Sequence, residues 1–555
     1  MMKSAPALLA AALMLALPVA ARASAPVPAG SVDPLDAYVH ARAADDLGQL
    51  DVAAVSFARA LAADPSSNML AIQTYRQAIA AGDMALALRT ADALDKARSL
   101  PPDGTLLLAA DAVRRKDWKQ ADALCDRIVA EKLFGFVTPV MRAWIAYGRH
   151  RDPYAPLAGA AAVSKLAVPY AAEHRALLLI ATRHDKEGIA AITALAGAES
   201  ARGARLRIAG AAELARRHKK DEAMALLQGA EPSLARARAL LAAGRDLPGA
   251  VDNPAEGVAE LYARVAADLH HEETATLALA FARIGSYLAP EDSETWLLSA
   301  ALLANRSDDQ AALAALDHVG AGDPFIGAAR DERVVLLRRD GRDDEALAVA
   351  EQAAHDPGAQ ATDWARLGDL LAQDDRYAEA ADAYGRALAL SGGDKAPREV
   401  AWPLMLQRAN ALLQSGDWPS ARGLAEAALK LAPNQPELLN FLGYTEVERG
   451  ENIPAAAAMI ARASAFAPDD PAITDSLGWS WYVRGDVKKA IPLLERAAQG
   501  APTQSDINEH LGDAYWAAGR RLEARYAWRR SLVVADPKDA DRLKAKIDFG
   551  PKPRS

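Results

Sequence analysis

A pattern that returns every 34 residues runs through most of this chain, and a period of that length holds one small supersecondary unit at a time. Its phase is plainest in DSLGWSWYVRGDVKKAIPLLERA, residues 475–497. With Pro471 as position one, Leu477 and Gly478 fall at seven and eight, Trp481 at eleven, Ala490 at twenty, Ala497 at twenty-seven and Pro502 at thirty-two. The unit from Ser505 repeats this with Leu511, Gly512, Tyr515, Ala524 and Trp528, and its Pro537 comes one place late. The unit from Ala361 has Trp364, Leu367, Gly368, Ala380, Tyr384 and Ala387. Positions seven, eight and eleven share one helical face; twenty, twenty-four and twenty-seven share another. Small residues at eight and twenty let two antiparallel helices approach, and larger ones at four, eleven and twenty-four fill the gap. The proline ends the second helix by pushing the residue before it away from helical angles. One such hairpin cannot bury its own apolar face, so the units must stack.

The pattern resembles the tetratricopeptide repeat (TPR). That resemblance implies an all-α fold, an α-solenoid (superhelix) of stacked TPR helical hairpins. Clear units run 34–67, 259–292, 293–326, 327–360, 361–394, 402–435, 436–470, 471–504 and 505–538, the 436 unit with one extra residue. Degenerate units are expected at 68–101, 102–135 and near 171–203 and 204–237. The stretch GRDLPGAVDNPAEG is rich in proline and glycine and off phase, so it reads as a break. The expected organisation is a signal peptide at 1–23, a linker at 24–33, a degenerate N-terminal TPR segment at 34–243 and an irregular break at 244–258. A C-terminal TPR array follows at 259–538, then a capping helix and tail at 539–555. KAPREVA, 395–401, reads as a longer loop between repeats.

A chain of 555 residues exceeds one compact core, which suits a repeat array. The N-terminus has Lys3, an apolar run from about Ala5 to Val19, and Ala21-Arg22-Ala23 as a small-x-small cleavage pattern. It reads as a secretory signal with cleavage before Ser24, and a periplasmic location is expected. The apolar run is short for a bilayer span, and no later segment is long and uncharged enough for one, so no integral span is expected after cleavage. Cys125 is the sole cysteine, so there is neither a lipobox cysteine after the signal nor an internal disulfide framework. A formal charge of −9, more negative still without Lys3 and Arg22, argues against a nucleic-acid partner.

On the first helix of each unit, positions two, five, nine and twelve point well away from four, seven, eight and eleven. Trp481, at eleven, is therefore expected in the core, and Trp479 and Tyr482, at nine and twelve, outside it. By the resemblance, TPR proteins bind extended or helical peptides with that second face, the lining of the superhelix. It carries Asn440 and Tyr444, then Asp475, Trp479 and Tyr482, then Glu509, Asp513 and Trp516, an aromatic and acidic stripe over three units. Seven of the ten tryptophans lie between 361 and 538, which places the expected protein-binding surface in this half. The chaperone-tail clamp of some TPR proteins needs Lys, Arg and Asn on this face, and only Asn410 and Asn440 match by type. His270-His271-Glu272-Glu273 cannot chelate as an i, i+4 pair would, and Cys125 sits at a buried position twenty-four. There is no HExxH, GxSxG or phosphate loop. No cofactor, metal or catalytic residue is expected.

The phrases LGYTEVERG, DSLGWSWYVRGDVKKAIPLLERA and EHLGDAYWAAGRRLEARYAWRRSL are similar to long TPR proteins of the Gram-negative envelope. These include a lipoprotein adaptor that delivers substrates to a carboxyl-terminal processing protease. The resemblance implies a periplasmic scaffold or adaptor whose partners are peptide segments or folded envelope proteins, such as a processing protease. Two other readings stay open: an assembly factor for envelope polysaccharide or outer-membrane export, and an enzyme with a site in the 137–257 region.

Overall fold

The computed structural model describes residues 33–196, 200–269, 271–356 and 358–551. Among them are 31 α-helices, four short 3-10 turns and no strand. The expected signal peptide at 1–23 and nearly all of the expected 24–33 linker lie outside the described residues, as does His270. No described helix is long and apolar enough to cross a membrane.

The hairpins form where the period places them: Pro436–Arg449 with Ile453–Phe466, Pro471–Val483 with Val487–Gly500, and Ser505–Ala517 with Arg521–Val534. Each boundary has a local cause. Asp470 accepts from the Ile473 amide at 2.9 Å and Pro471 opens the helix, where its missing N–H is no loss. Asp486 caps the second helix by accepting from the Lys489 amide at 3.2 Å. Between the two helices the chain turns through a left-handed glycine, Gly416, Gly450, Gly485 or Gly519 in successive units, and the 436 unit with its extra residue adds a second left-handed residue, Asn452. The same turn marks the clear 34–67 unit at Gly48 and runs on through the degenerate ones: Gly82, Lys116, His150, Arg183 and His218 all have positive φ at spacings near 34. The 137–170 region, which had no unit assigned to it, is therefore a hairpin. Its first helix is Thr138–Gly148, and its second is broken into Tyr154–Ala158 and Ala160–Val163.

Two compact units result, and their boundaries differ from the expected 34–243 and 259–538 segments. Of the described residues, the first takes in those up to Ala171 with 253–289 and 305–311; the second takes in those of 172–252, 290–304 and 312–551. Helices Pro254–Asp268 and Ala275–Leu288, read as the start of the C-terminal array, pack instead on Asn68–Ala81, Pro102–Arg114 and Thr138–Gly148. They are apolar on more than one side, so one hairpin partner cannot cover them. Tyr262 and Phe281 meet edge-on at 5.1 Å, Phe134 meets Phe281 at 5.8 Å, and the Trp144 ring lies where a side chain at Gly257 would be.

The expected break is shorter than 244–258. Asn253 caps a helix that starts at Pro254, and only Gly244–Asp252 is irregular. That stretch is not loose. Leu247, Ala250 and Val251 are buried, and the buried Arg205 donates to the Gly249 carbonyl at 2.8 Å while pairing with Asp292 and Glu294. The 395–401 loop is also shorter, because helix Arg398–Gln414 begins inside it.

Candidate functional site

The first helices of the 436, 471 and 505 hairpins lie side by side, and the terminal helix Ala540–Phe549 comes next after Arg521–Val534. Position eight carries glycine in each because the paired helices touch there. A β-carbon would come within 2.7 Å of Ile460 at Gly443, 2.8 Å of Leu494 at Gly478 and 2.4 Å of Trp528 at Gly512.

The two tryptophans of the 471 helix differ from expectation. Trp479 is 3% exposed, packs on Val447, Ala456 and Ile460 of the preceding hairpin, and donates its indole N–H to Glu448. Its ring stacks on His510 at 3.9 Å and on Tyr482 at 4.7 Å. Trp481 is only partly buried, with the Arg484 guanidinium 4.4 Å and the Lys489 ammonium 4.2 Å from its ring centre. The reason is stacking. A first helix meets its hairpin partner, but it also meets the first helices before and after it, and positions five and nine face those neighbours.

The acids of the stripe are likewise answered within the chain rather than open. Asp475 is buried and its Oδ2 lies 2.8 Å from His510 Nδ1; its Oδ1 has no hydrogen-bond partner. Lys546 of the terminal helix sits 2.6 Å from Glu509 and 2.7 Å from Asp513, both buried, and Arg542 also pairs with Glu509. Asp513 further accepts from the Trp528 indole at 2.9 Å. Burial pulls the His510 pKa down, but the adjacent Asp475 outweighs it and holds the imidazole above its usual value. Burial pushes the Asp513 carboxyl above the usual range despite the pull of Lys546. Trp516 is covered by Arg521, 3.8 Å from its ring centre, and by the Gly550 backbone. Asn440 is half-buried, with its carbonyl oxygen unpaired.

What stays open is a cavity of about 760 Å³. Tyr444, Trp479 and Tyr482 form one wall, Glu509 and Asp513 lie at its floor, and Asp541, Arg542 and Lys546 of the terminal helix form the other wall. Five of the eight expected residues are thus brought together, while Asn440, Asp475 and Trp516 do not line it.

Comparison with known families matches tetratricopeptide repeat models at residues 402–445, 445–505 and 476–540. Residues 402–540 are tetratricopeptide repeats. The curated proteins include no match to this chain. Solved structures similar to it include a TPR protein from Parabacteroides merdae, 14% identical, covering 46% of this chain and 98% of that one, TM-score 0.39. Others are the APC/C hetero-tetramer Cut9–Hcn1 (15%, 92% and 88%, TM-score 0.35) and a thermophilic TPR protein of Thermus thermophilus (21%, 34% and 98%, TM-score 0.30).

Against the TPR phase, the residues that sequence reasoning passed over stand out. Asp506 at position two, His510 at six and Glu448 at thirteen all line the cavity. His510 had a legible signal, since its place is Phe441 and Ser476 in the two preceding units. Arg542 and Lys546 had none, because the terminal helix has no counterpart to align with. Cys125 is fully buried, as position twenty-four requires, and burial pushes its thiol up to about 12. Among the described residues no group of three or more His, Cys, Asp or Glu is set to hold a metal ion.

Proposed function

We propose that this chain is a non-enzymatic protein-interaction scaffold that holds a basic peptide segment in the cavity between the 436, 471 and 505 hairpins and the terminal helix. The cavity itself carries the reading: it is large enough for several side chains, and Tyr444 and Tyr482 present half-buried aromatic surface in it. Glu448 and Asp506 are exposed at its edge and favour a cationic guest. The terminal helix shows what suits the floor, since Lys and Arg side chains already satisfy Glu509 and Asp513. In the same proposal the 1–23 segment directs export to the periplasm, where the scaffold delivers bound proteins to an envelope protease.

The test places a photocrosslinking residue at Tyr444 in intact cells and identifies what is captured by mass spectrometry. Aromatic hot spots contribute about 2 kcal/mol or more each. The double change Tyr444→Ala and Tyr482→Ala should therefore weaken capture at least about tenfold while leaving helical content unchanged. Undiminished capture moves the site elsewhere. Mass spectrometry of the exported chain tests the location, and a retained residue 1 in the mature form refutes it.

A further inference from the structure

The outer face of helix Arg521–Val534 is unlike its counterparts. Leu522, Tyr526, Arg529 and Val533 fall within about 60° of one another around the axis. They lie opposite Ala524, Ala527, Trp528 and Ser531, which are buried. Leu522 is 63% exposed, Tyr526 57% and Val533 84%. One period earlier the same four places hold Lys488, Pro492, Glu495 and Gln499, and one before that Pro454, Ala458, Ala461 and Ala465. Large apolar side chains at these places distinguish the last hairpin.

Charge sets this helix apart as well. It carries Arg521, Arg525, Arg529 and Arg530 against one acid, Glu523, which Arg520 already pairs at 3.1 Å. Elsewhere the chain is laced with arginine–carboxylate pairs, but none of these four meets a carboxylate among the described residues. Arg521 and Arg525 donate instead to the carbonyls of Trp516 and Ile547, and Arg530 reaches that of Ala498 at 3.5 Å. Arg521 and Arg525 also lie over the Trp516 ring, at 3.8 and 5.7 Å, which leaves the exposed Arg529 and Arg530 to carry the outward charge in a chain whose net charge is −9.

We propose that this face docks on an anionic lipid surface. Arginine forks match phosphate oxygens, and apolar side chains set between them can enter the boundary below the headgroups. Charge decides the occupant: a face with outward arginines between exposed apolar side chains, in an otherwise acidic chain, complements an anionic headgroup layer. The cavity of this end is lined by none of these residues, so the two surfaces are separate.

The test is co-sedimentation of the full chain with phosphatidylglycerol-containing vesicles and with pure phosphatidylcholine vesicles. Binding is expected to the first and not the second. Arg529→Glu with Arg530→Glu should weaken it about tenfold or more, since each basic residue near such a surface contributes about fivefold in affinity. Leu522→Ser with Val533→Ser should weaken it independently, with melting temperature unchanged because both side chains are exposed. Absence of binding overturns the proposal, and so does binding that ignores either pair. If vesicles are ignored while the same variants turn a dimer into a monomer in sedimentation velocity, the stripe is a contact between copies and the lipid surface is wrong.

Discussion

Replacing Gly512 by alanine sets two effects of known sign against each other. Inside a helix, glycine to alanine ordinarily stabilises by about 1 kcal/mol, through lower backbone entropy in the unfolded chain. At Gly512 the added carbon would stand 2.4 Å from both Cδ1 and Nε1 of Trp528. That ring is fully buried and is held by its bond to Asp513, so it has no free side to move toward. Overpacking of this kind costs about 1–3 kcal/mol. Pulling the indole off a buried carboxylate costs about 1.5–3 kcal/mol more where the bond breaks. Gly512→Ala should therefore destabilise the 505 hairpin by about 2 kcal/mol net. Gly423 is the control: it is also inside a helix, Trp418–Leu431, but nothing lies within 4 Å of its added carbon. Gly423→Ala should stabilise by up to about 1 kcal/mol. Hydrogen exchange read by mass spectrometry suits an array that does not unfold in one step, because it reports opening of the 505–534 and 418–431 peptides separately. If the two substitutions shift protection in the same direction, position eight is not a helix contact and the repeat phase is wrong.

Three further outcomes follow from the same contacts. Trp479→Ala should cost about 3–5 kcal/mol of local stability, because it empties a buried site, and loss of partner capture in that variant will track unfolding measured by circular dichroism. Lys546→Ala leaves Glu509 and Asp513 buried without their ammonium; a cost of about 3 kcal/mol should free the terminal helix, seen as new proteolytic cleavage near residue 536. His510 has a pKa raised above its usual value, so its pairing with Asp475 contributes fully below about pH 6.5 and is lost as pH rises through the raised value. The melting temperature of this end should fall over that window, with Glu448 and Asp513 also facing the ring, and Asp475→Asn should flatten the profile.

Helix positions were legible because many boundaries have a local marker: a capping aspartate, a proline or a left-handed turn residue. Pro471, Asp486 and Gly485 mark one hairpin completely. Degenerate units were harder because Lys116, His150 and His218 occupy the left-handed turn that glycine fills elsewhere, so the turn survives where its residue does not. Phase alone misjudged Trp479 and Trp481, since it describes one hairpin and burial in an array is decided by the next. The pairing of Glu509 and Asp513 with Lys546 joins the repeat to a segment outside it, and no period connects the two. The return of Pro254–Asp268 and Ala275–Leu288 to earlier helices was invisible for a similar reason. Their pattern announces that they are buried but not against what.

That return changes the order in which the first unit can form. A linear array can grow from one end, each repeat resting on the one before. Here helices Pro102–Arg114 and Thr138–Gly148 pack on the late pair, with the Tyr262 hydroxyl on the Leu106 carbonyl and the Trp144 ring against Gly257. At about 5–20 residues per second, a ribosome needs on the order of ten seconds between making the early helices and their late partners. Through that interval the apolar faces have no native cover, and closing the unit joins segments far apart in sequence, a slow step. The first unit is thus the stage at which synthesis most needs a holding factor, and a chain cut short before Leu288 would be left with an open core.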